Sequence, residues 1–266
     1  MISSHCVNAY LIPMFLIRRK EIKMGKIKLV VLDMAGTTVK DHHEVEHCFR
    51  LAARKNGLEA SDERILALQG YAKLYVFRLL WAEQLGEGHT DIENLAQKSY
   101  QDFTEILENH YQTEDIFPTE GCLELFDYLH SKGIYIALTT GFYRKVANII
   151  LSKLGWLQSL DEQFINLKNQ QGIHLSITPD EVNGEGRPSP KMIEYAMSVC
   201  GISDPMEVIN IGDTPVDLAF GKNAKVRLAL GVCNGTHTRE QLEVCPNDGL
   251  LNKISDLIEL IENVEK

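Results

Sequence analysis

Asp33 stands at the end of an apolar run, Leu29 to Leu32, and is followed by Ala35-Gly36-Thr37-Thr38. An unbroken apolar run of this kind reads as a strand buried on both faces. Open α/β sheets bind ligands beyond the carboxyl ends of their strands, and a glycine there lets other atoms approach the backbone closely. On its own, an Asp closing a strand is equally explained as a turn or cap residue. Three more strand-like runs end on polar groups, however. Thr140-Gly141 follows Ile134 to Leu138, Arg187 comes after His174 to Thr178, and Asp213 with Asp217 follows Val208 to Ile211. Each has a plain local reading: Thr140 as a helix N-cap, Arg187 as a surface charge, Asp213 as a turn residue, Asp217 as a helix-start acid. On one sheet edge they would together supply a nucleophilic carboxylate, a hydroxyl with nearby amides, a cation and further carboxylates. Converging carboxylates raise one another's pKa unless a cation sits among them. Oxygen-only donors suit Mg²⁺, which bridges to phosphate. The chemistry is phosphoryl transfer with a carboxylate as covalent nucleophile.

The elements that must position these residues alternate strand and helix from Gly121 onward. A helix over Cys122 to Ser131 ends at Gly133, and the strand Ile134 to Leu138 leads to a helix with Arg144, Val146 and Ile149. The segment after Gly186-Arg187-Pro188-Ser189-Pro190-Lys191 reads as a helix through Ala196, and a further helix runs to Ala224. The strand Arg227 to Val232 and an amphipathic helix around Leu257 to Ile261 complete the chain. This alternation predicts an α/β fold with a doubly wound parallel sheet. The piece from Trp156 to Gly172 reads as a short hairpin or loop. Between the first strand and Gly121 the pattern is helical throughout. Glu46-Phe49-Leu51-Ala52 leads to a C-cap at Gly57, then Leu74, Phe77, Leu80 and Trp81 recur at helical spacing, as do Ile92, Leu95, Phe103, Ile106 and Leu107. His42, His43 and His47 have no carboxylate or cysteine at ligand spacing and read as surface histidines near a hinge.

Composition bounds the rest. A chain of 266 residues with 44% apolar and 24% charged residues has room for one large α/β domain or a core plus a smaller domain. A net charge of −10 argues against a nucleic-acid partner and leaves room for an acidic pocket that needs a cation. The six cysteines form no C-x-x-C pair, which fits reduced thiols in a cytoplasmic protein, with Cys122 and Cys200 as small core residues. Ala9 to Ile17 is apolar but too short to span a bilayer, and its basic cluster Arg18-Arg19-Lys20 follows rather than precedes it. No membrane partner is expected. Met24-Gly25-Lys26 is the more natural start, so residues 1–23 read as a tail outside the fold.

The four polar stretches, in this order, resemble the motifs of the haloacid dehalogenase-like hydrolase superfamily from about Lys28 to the end of the chain. The resemblance implies a Rossmannoid core over residues 24–40 and 116–266, with a mobile helical cap over residues 41–115. It implies that Asp33 attacks phosphorus and becomes an aspartyl phosphate, while Thr140, the Gly141 amide and Arg187 hold the phosphoryl oxygens. Asp33, the Ala35 carbonyl and Asp213 would bind Mg²⁺, with Thr37 supporting and Asp217 orienting either the metal's waters or Arg187. Most phosphatases of the superfamily carry a second Asp two residues after the nucleophile, where it protonates the leaving group. Ala35 occupies that position and cannot move a proton, a loss worth ~10²–10⁴-fold in rate.

Asp-x-Ala-Gly-Thr-Thr and Gly186-Arg187-Pro188 are instead similar to the phosphonoacetaldehyde hydrolase (phosphonatase) group. In that group a cap lysine forms a Schiff base with the aldehyde, so no alkoxide leaves. Gly70-Tyr71-Ala72-Lys73 matches that cap spacing and makes Lys73 the candidate. A Schiff-base lysine must lower its pKa from about 10.4 to about 7–8, roughly 4 kcal/mol of differential environment. The other readings of Lys73 are a partner for substrate phosphate or a solvent-facing charge beside Arg78. The phosphonatase pattern also has a histidine where Val76 stands, a tyrosine at Phe142 and a cysteine at His43. The expected function is therefore a Mg²⁺-dependent, phosphonatase-like hydrolase acting on a small phosphonate or phosphate metabolite. A phosphoglycolate-type phosphomonoesterase and a non-catalytic phosphometabolite-binding protein are the alternatives, and a homodimer is left open.

Overall fold

The computed structural model describes residues 26–264; the tail expected over residues 1–23, with Cys6, lies outside the described residues. Six strands, β1 (Leu29–Asp33), β2 (Tyr135–Thr139), β3 (Leu175–Ile177), β4 (Val208–Gly212), β5 (Leu228–Val232) and β6 (Gly249–Leu251), form one sheet in the order β3-β2-β1-β4-β5-β6. All neighbours pair in parallel. β1 is buried at every position and lies between β2 and β4, with Asp33 level with Thr139. The chain thus leaves β1 on one side and later returns on the other, and the crevice at such a reversal is where this architecture binds ligands.

Alternation along the strands sorts the core into two faces. Val30, Leu32, Ile136, Leu138, Ile209 and Ile211 pack under α5 (Cys122–Ser131), α6 (Arg144–Lys153) and α10 (Asp256–Val264). Leu29, Val31, Ala137 and Ala229 meet Met192, Ile193 and Phe220 of α7 (Lys191–Val199) and α8 (Pro215–Asn223). A short helix, α9 (Arg239–Glu243), precedes β6. Four helices lie between β1 and α5: α1 (Glu44–Lys55), α2 (Asp62–Ala67), α3 (Lys73–Leu85) and α4 (Ile92–Thr113). Their apolar faces meet where Phe49 stacks on Phe77 at 4.2 Å between centroids, with Phe103 against both. Trp81 Nε1 donates to Ser99 Oγ at 3.0 Å, satisfying the indole in this buried layer. The second tryptophan, Trp156, packs instead on Phe126 of α5, below the sheet. The apolar cluster runs without a break from the four helices onto the first face of the sheet.

The segments that lead out to these helices and back lie side by side. Val39 bridges both Ala35 and Pro118, Lys40 N donates to Phe117 O at 2.9 Å, and Thr119 Oγ1 donates to Thr37 O at 2.6 Å. Among the described residues no helix is long and apolar enough to cross a membrane.

Several local expectations are corrected. The strand expected over Ile134 to Leu138 runs one residue later, the one over His174 to Thr178 shrinks to Leu175–Ile177, and the one over Arg227 to Val232 begins at Leu228. A sixth strand, β6, completes the sheet edge; three residues are too few to carry a period. Trp156 to Gly172 contains no helix or strand, only turns and an isolated bridge from Ile165 to Leu175. Cys122 is a core residue as expected, but Cys200 ends α7 half-buried.

Candidate active site

Asp33 closes the central strand, and its buried carboxylate accepts from Arg187 Nη2 at 2.5 Å. The other amino group of Arg187, Nη1, pairs with Asp217 Oδ1, so one guanidinium spans two carboxylates. Asp217 is not merely a helix-start acid. Its Oδ2 accepts from Thr214 N at 3.0 Å and Thr214 Oγ1 at 2.6 Å, a capping box that fixes the carboxylate at the start of α8. Thr140 is not the N-cap of α6, a position taken by Tyr143; its Oγ1 instead accepts from Phe142 N at 3.1 Å. Asp213 Oδ1 accepts from Thr37 Oγ1 at 3.1 Å and Oδ2 from Thr236 N at 2.6 Å. Two glycines make room for that carboxylate: a Cβ on Gly36 would lie 2.2 Å from Asp213 Oδ2, and one on Gly235 2.4 Å from it.

The electrostatics of the cluster are set by burial. Asp33, Asp213 and Asp217 bring ligand oxygens within 4.8 Å of one another. Burial pushes Asp33 well above the usual carboxylate range; the Arg187 charge opposes this, while the charges of Asp217 and Asp213 add to it. Burial and the Asp217 charge likewise push Asp213 up to about 6 against the hydrogen bonds from Thr236 and Thr37. Burial works against the charge on Arg187, but Asp217 and Asp33 outweigh it and hold the guanidinium above its ordinary range. Three carboxylates thus face one guanidinium. The excess negative charge and the all-oxygen donor set fit a hard divalent cation such as Mg²⁺.

The same pocket wall carries Asp33, Ala35, Thr140, Gly141 and Arg187 from the sheet edge, and Lys73, Gln69, Gly70 and Tyr71 from the inserted helices. Lys73 begins α3, and its Nζ donates to Gln69 Oε1 at 3.1 Å. As a residue it is only partly covered, yet its ammonium is crowded enough that burial dominates and draws it down to about 8. The structure therefore brings every expected site residue to one place, with Thr37, Asp213 and Asp217 just behind the wall. Where the phosphonatase pattern has polar groups, only Phe142 lines the pocket; Val76 is buried within the helices, and His43 is exposed and bonded to Glu46. His42 and His47 are exposed as expected.

Sequence reading missed Asp41, Gln69 and Thr236, which line the wall. Asp41 carried a signal: an acid with Glu44 three residues later is a helix-start pattern. Thr236 follows Asn234-Gly235, a turn dipeptide after β5, which marks another strand end on the same edge.

The profile of the haloacid dehalogenase-like hydrolase family matches residues 27–225. The chain belongs to that family, and it is a hydrolase. It is 30% identical over 216 residues to the phosphonoacetaldehyde hydrolase of Latilactobacillus sakei subsp. sakei (strain 23K), spanning 76% of this chain and 74% of that one. A hydrolase from Pseudomonas syringae superposes with a TM-score of 0.73 at 20% identity, over 89% of this chain and 99% of the other. A phosphonoacetaldehyde hydrolase-like protein from Oleispira antarctica does so with a TM-score of 0.70 at 17% identity, over 94% and 96%. At such identities the two superpositions speak for the fold.

Proposed function

We propose that the chain is a Mg²⁺-dependent hydrolase of phosphonatase type that cleaves a phosphorus–carbon bond in a small phosphonoaldehyde. The observation that carries this reading is the placement of Lys73, its pKa drawn down to about 8, in the wall that holds Asp33, while the residue two after Asp33 is an alanine. An amine near 8 is partly neutral at physiological pH and can attack an aldehyde. The missing acid at Ala35 then does no harm, because the carbon leaves as an enamine. In this scheme Lys73 Nζ forms an imine with the carbonyl carbon. An Asp33 oxygen attacks phosphorus, the phosphorus–carbon bond breaks, and its electron pair moves into the iminium. Water then releases phosphate from the aspartyl phosphate, while protonation of the enamine carbon and hydrolysis of the resulting iminium free the aldehyde product and Lys73. Thr140, the Gly141 amide and Arg187 would hold the phosphoryl oxygens. Asp33, the Ala35 carbonyl and Asp213 would hold Mg²⁺, whose charge offsets the acidic cluster and the phosphoryl group. Asp217 and Thr37 position Arg187 and Asp213.

The test is borohydride reduction in the presence of phosphonoacetaldehyde, followed by mass spectrometry of the peptide that contains Lys73. An adduct on Lys73 that disappears in Lys73→Arg, with phosphate release abolished by Asp33→Asn, is the expected result. No adduct, alongside Mg²⁺-dependent phosphate release from phosphomonoesters, would leave a phosphatase. In that case Ala35→Asp should raise phosphomonoesterase activity.

A further inference from the structure

Imine formation needs an acid and a base besides the amine, and the usual polar side chains are replaced here. Phe142 lines the pocket without a hydroxyl, Val76 has no ionisable group, and His43 faces solvent. The wall nevertheless holds one carboxyl besides the nucleophile. Asp41 is the first residue beyond the paired linker strands, where Val39 and Lys40 meet Phe117 and Pro118. Its Oδ1 accepts from Glu44 N at 3.0 Å and so caps α1, whose nominal cap residue, His43, makes no side-chain cap bond. We propose that Asp41 is the acid–base residue that makes the imine on Lys73, with Glu44 as its positioning partner; this rests on the imine reading above.

The surroundings of Asp41 suit it to the task. Its carboxyl lies within hydrogen-bond reach of the Glu44 carboxyl, and two such groups do not both ionise. Burial, then Glu44, then the Asp213 charge push Asp41 up to about 8. Burial also bears on Glu44, but hydrogen bonds from Asp41 and from its own and the His42 amides outweigh it, so the proton of the pair resides on Asp41. The other titratable groups around Asp41 are Lys73 on α3, Tyr111 on α4 and Cys48 on α1. Among charged groups, Asp41 acts most strongly on Lys73. Both line the one pocket wall, which places the acid beside the amine it serves.

The chemistry balances without a further reagent. Neutral Lys73 Nζ attacks the carbonyl carbon, a nitrogen–carbon bond forms and the carbonyl π pair moves to oxygen. Asp41 gives that oxygen its proton and takes one back from nitrogen, which leaves a neutral carbinolamine. Asp41 then protonates the hydroxyl, the carbon–oxygen bond breaks and water departs. The products are an iminium on Lys73 and an Asp41 carboxylate beside it.

The experiment is rapid-quench cyanoborohydride trapping of the full chain with phosphonoacetaldehyde and Mg²⁺, across neutral to alkaline pH. Asp41→Asn keeps the Oδ1 acceptor for α1 and should slow adduct formation on Lys73 by ~10²-fold or more. Asp41→Glu should restore part of the rate. Glu44→Gln removes the neighbouring charge, so Asp41 ionises at lower pH and the alkaline limb of the profile should move down. A purely structural role for either residue would not shift that limb. A wild-type adduct rate in Asp41→Asn, or an unmoved limb in Glu44→Gln, overturns the assignment while the imine stands. Absence of any adduct in the wild type overturns the imine reading and Asp41 with it. Should Asp41→Asn fail to fold, the Glu44→Gln profile decides.

Discussion

Arg187 shows how few residues hold the centre together. Its guanidinium serves Asp33 on one side and the capping-box acid Asp217 on the other, with little exposure for any of the three. Removing one member of a buried ion cluster strands the remaining charges, a loss of ~3–5 kcal/mol. Arg187→Ala should therefore lower the free energy of unfolding by an amount of that order, read in a urea titration with Asp33→Asn as the comparison. The asparagine variant leaves Arg187 paired with Asp217 and strands no charge, so its loss should be smaller. Asp33, Thr140 and Asp213 were legible because they stand at strand ends on one edge, and Arg187 and Asp217 because they lie in the segments that follow strands on that edge, so that chemistry can read them as a set. Asp41 and Glu44 were not, because acids in a linker look like solvated charges until their burial is known. Lys73 was legible through the resemblance of Gly70-Tyr71-Ala72-Lys73 to the phosphonatase cap motif; the crowding that lowers its pKa depends on packing between distant segments.

The loop between α2 and α3 is the element that joins the inserted helices to the catalytic edge. Gly70 has φ +84°, and a Cβ there would lie 2.8 Å from Thr214 Oγ1 and 3.0 Å from the Val216 Cβ. On the other side, a Cβ on Gly141 would approach Gly70 O at 3.3 Å. The loop thus sits between the start of α8 and the turn after β2, at backbone distance from both. The loop supplies Gln69, Gly70 and Tyr71 to the pocket wall, so lifting it removes part of the substrate's surroundings. Gly70→Ala adds left-handed strain of ~1–2 kcal/mol and a clash with Thr214, both relieved when the loop lifts. Substrate affinity should fall, with KM rising about tenfold for a cost of ~1.4 kcal/mol, while the phosphoenzyme hydrolysis rate changes less. Equal losses in both would place the glycine's role elsewhere. At this scale the helix and strand order was legible from periodicity, and the Thr214-Pro215-Val216-Asp217 start of α8 from its cap pattern. The glycine contacts were not, because they form only when two loops far apart in sequence meet.

The whole molecule is one parallel sheet covered on both faces, and one buried histidine away from the pocket couples its stability to pH. His174 accepts from Ile136 N through Nδ1 at 3.0 Å and stacks near His130 at 4.7 Å. Burial first, then the His130 charge, draws it down to about 4. Its unfolded value is about 6.5. At this histidine the folded state therefore binds fewer protons than the unfolded state between these values. The histidine's contribution to stability is at its full level above about 6.5 and is lost as pH drops toward about 4. His174→Asn, which keeps an acceptor for Ile136 N but cannot be protonated, should gain in melting temperature relative to the wild type as pH drops through that window. The fold class was legible from alternating strands and helices; the continuity of one apolar cluster from the sheet into the inserted helices was not, since periodicity identifies faces without naming what they meet. The placement of the two tryptophans, Trp81 among those helices and Trp156 under α5, gives each half of that cluster its own fluorophore. In Trp156→Phe the emission reports on the inserted helices alone, and in Trp81→Phe on the sheet layer alone. Superimposable melting curves from the two variants would mean that the halves unfold as one cooperative unit, and separated curves that the helices come apart first or last as a body of their own.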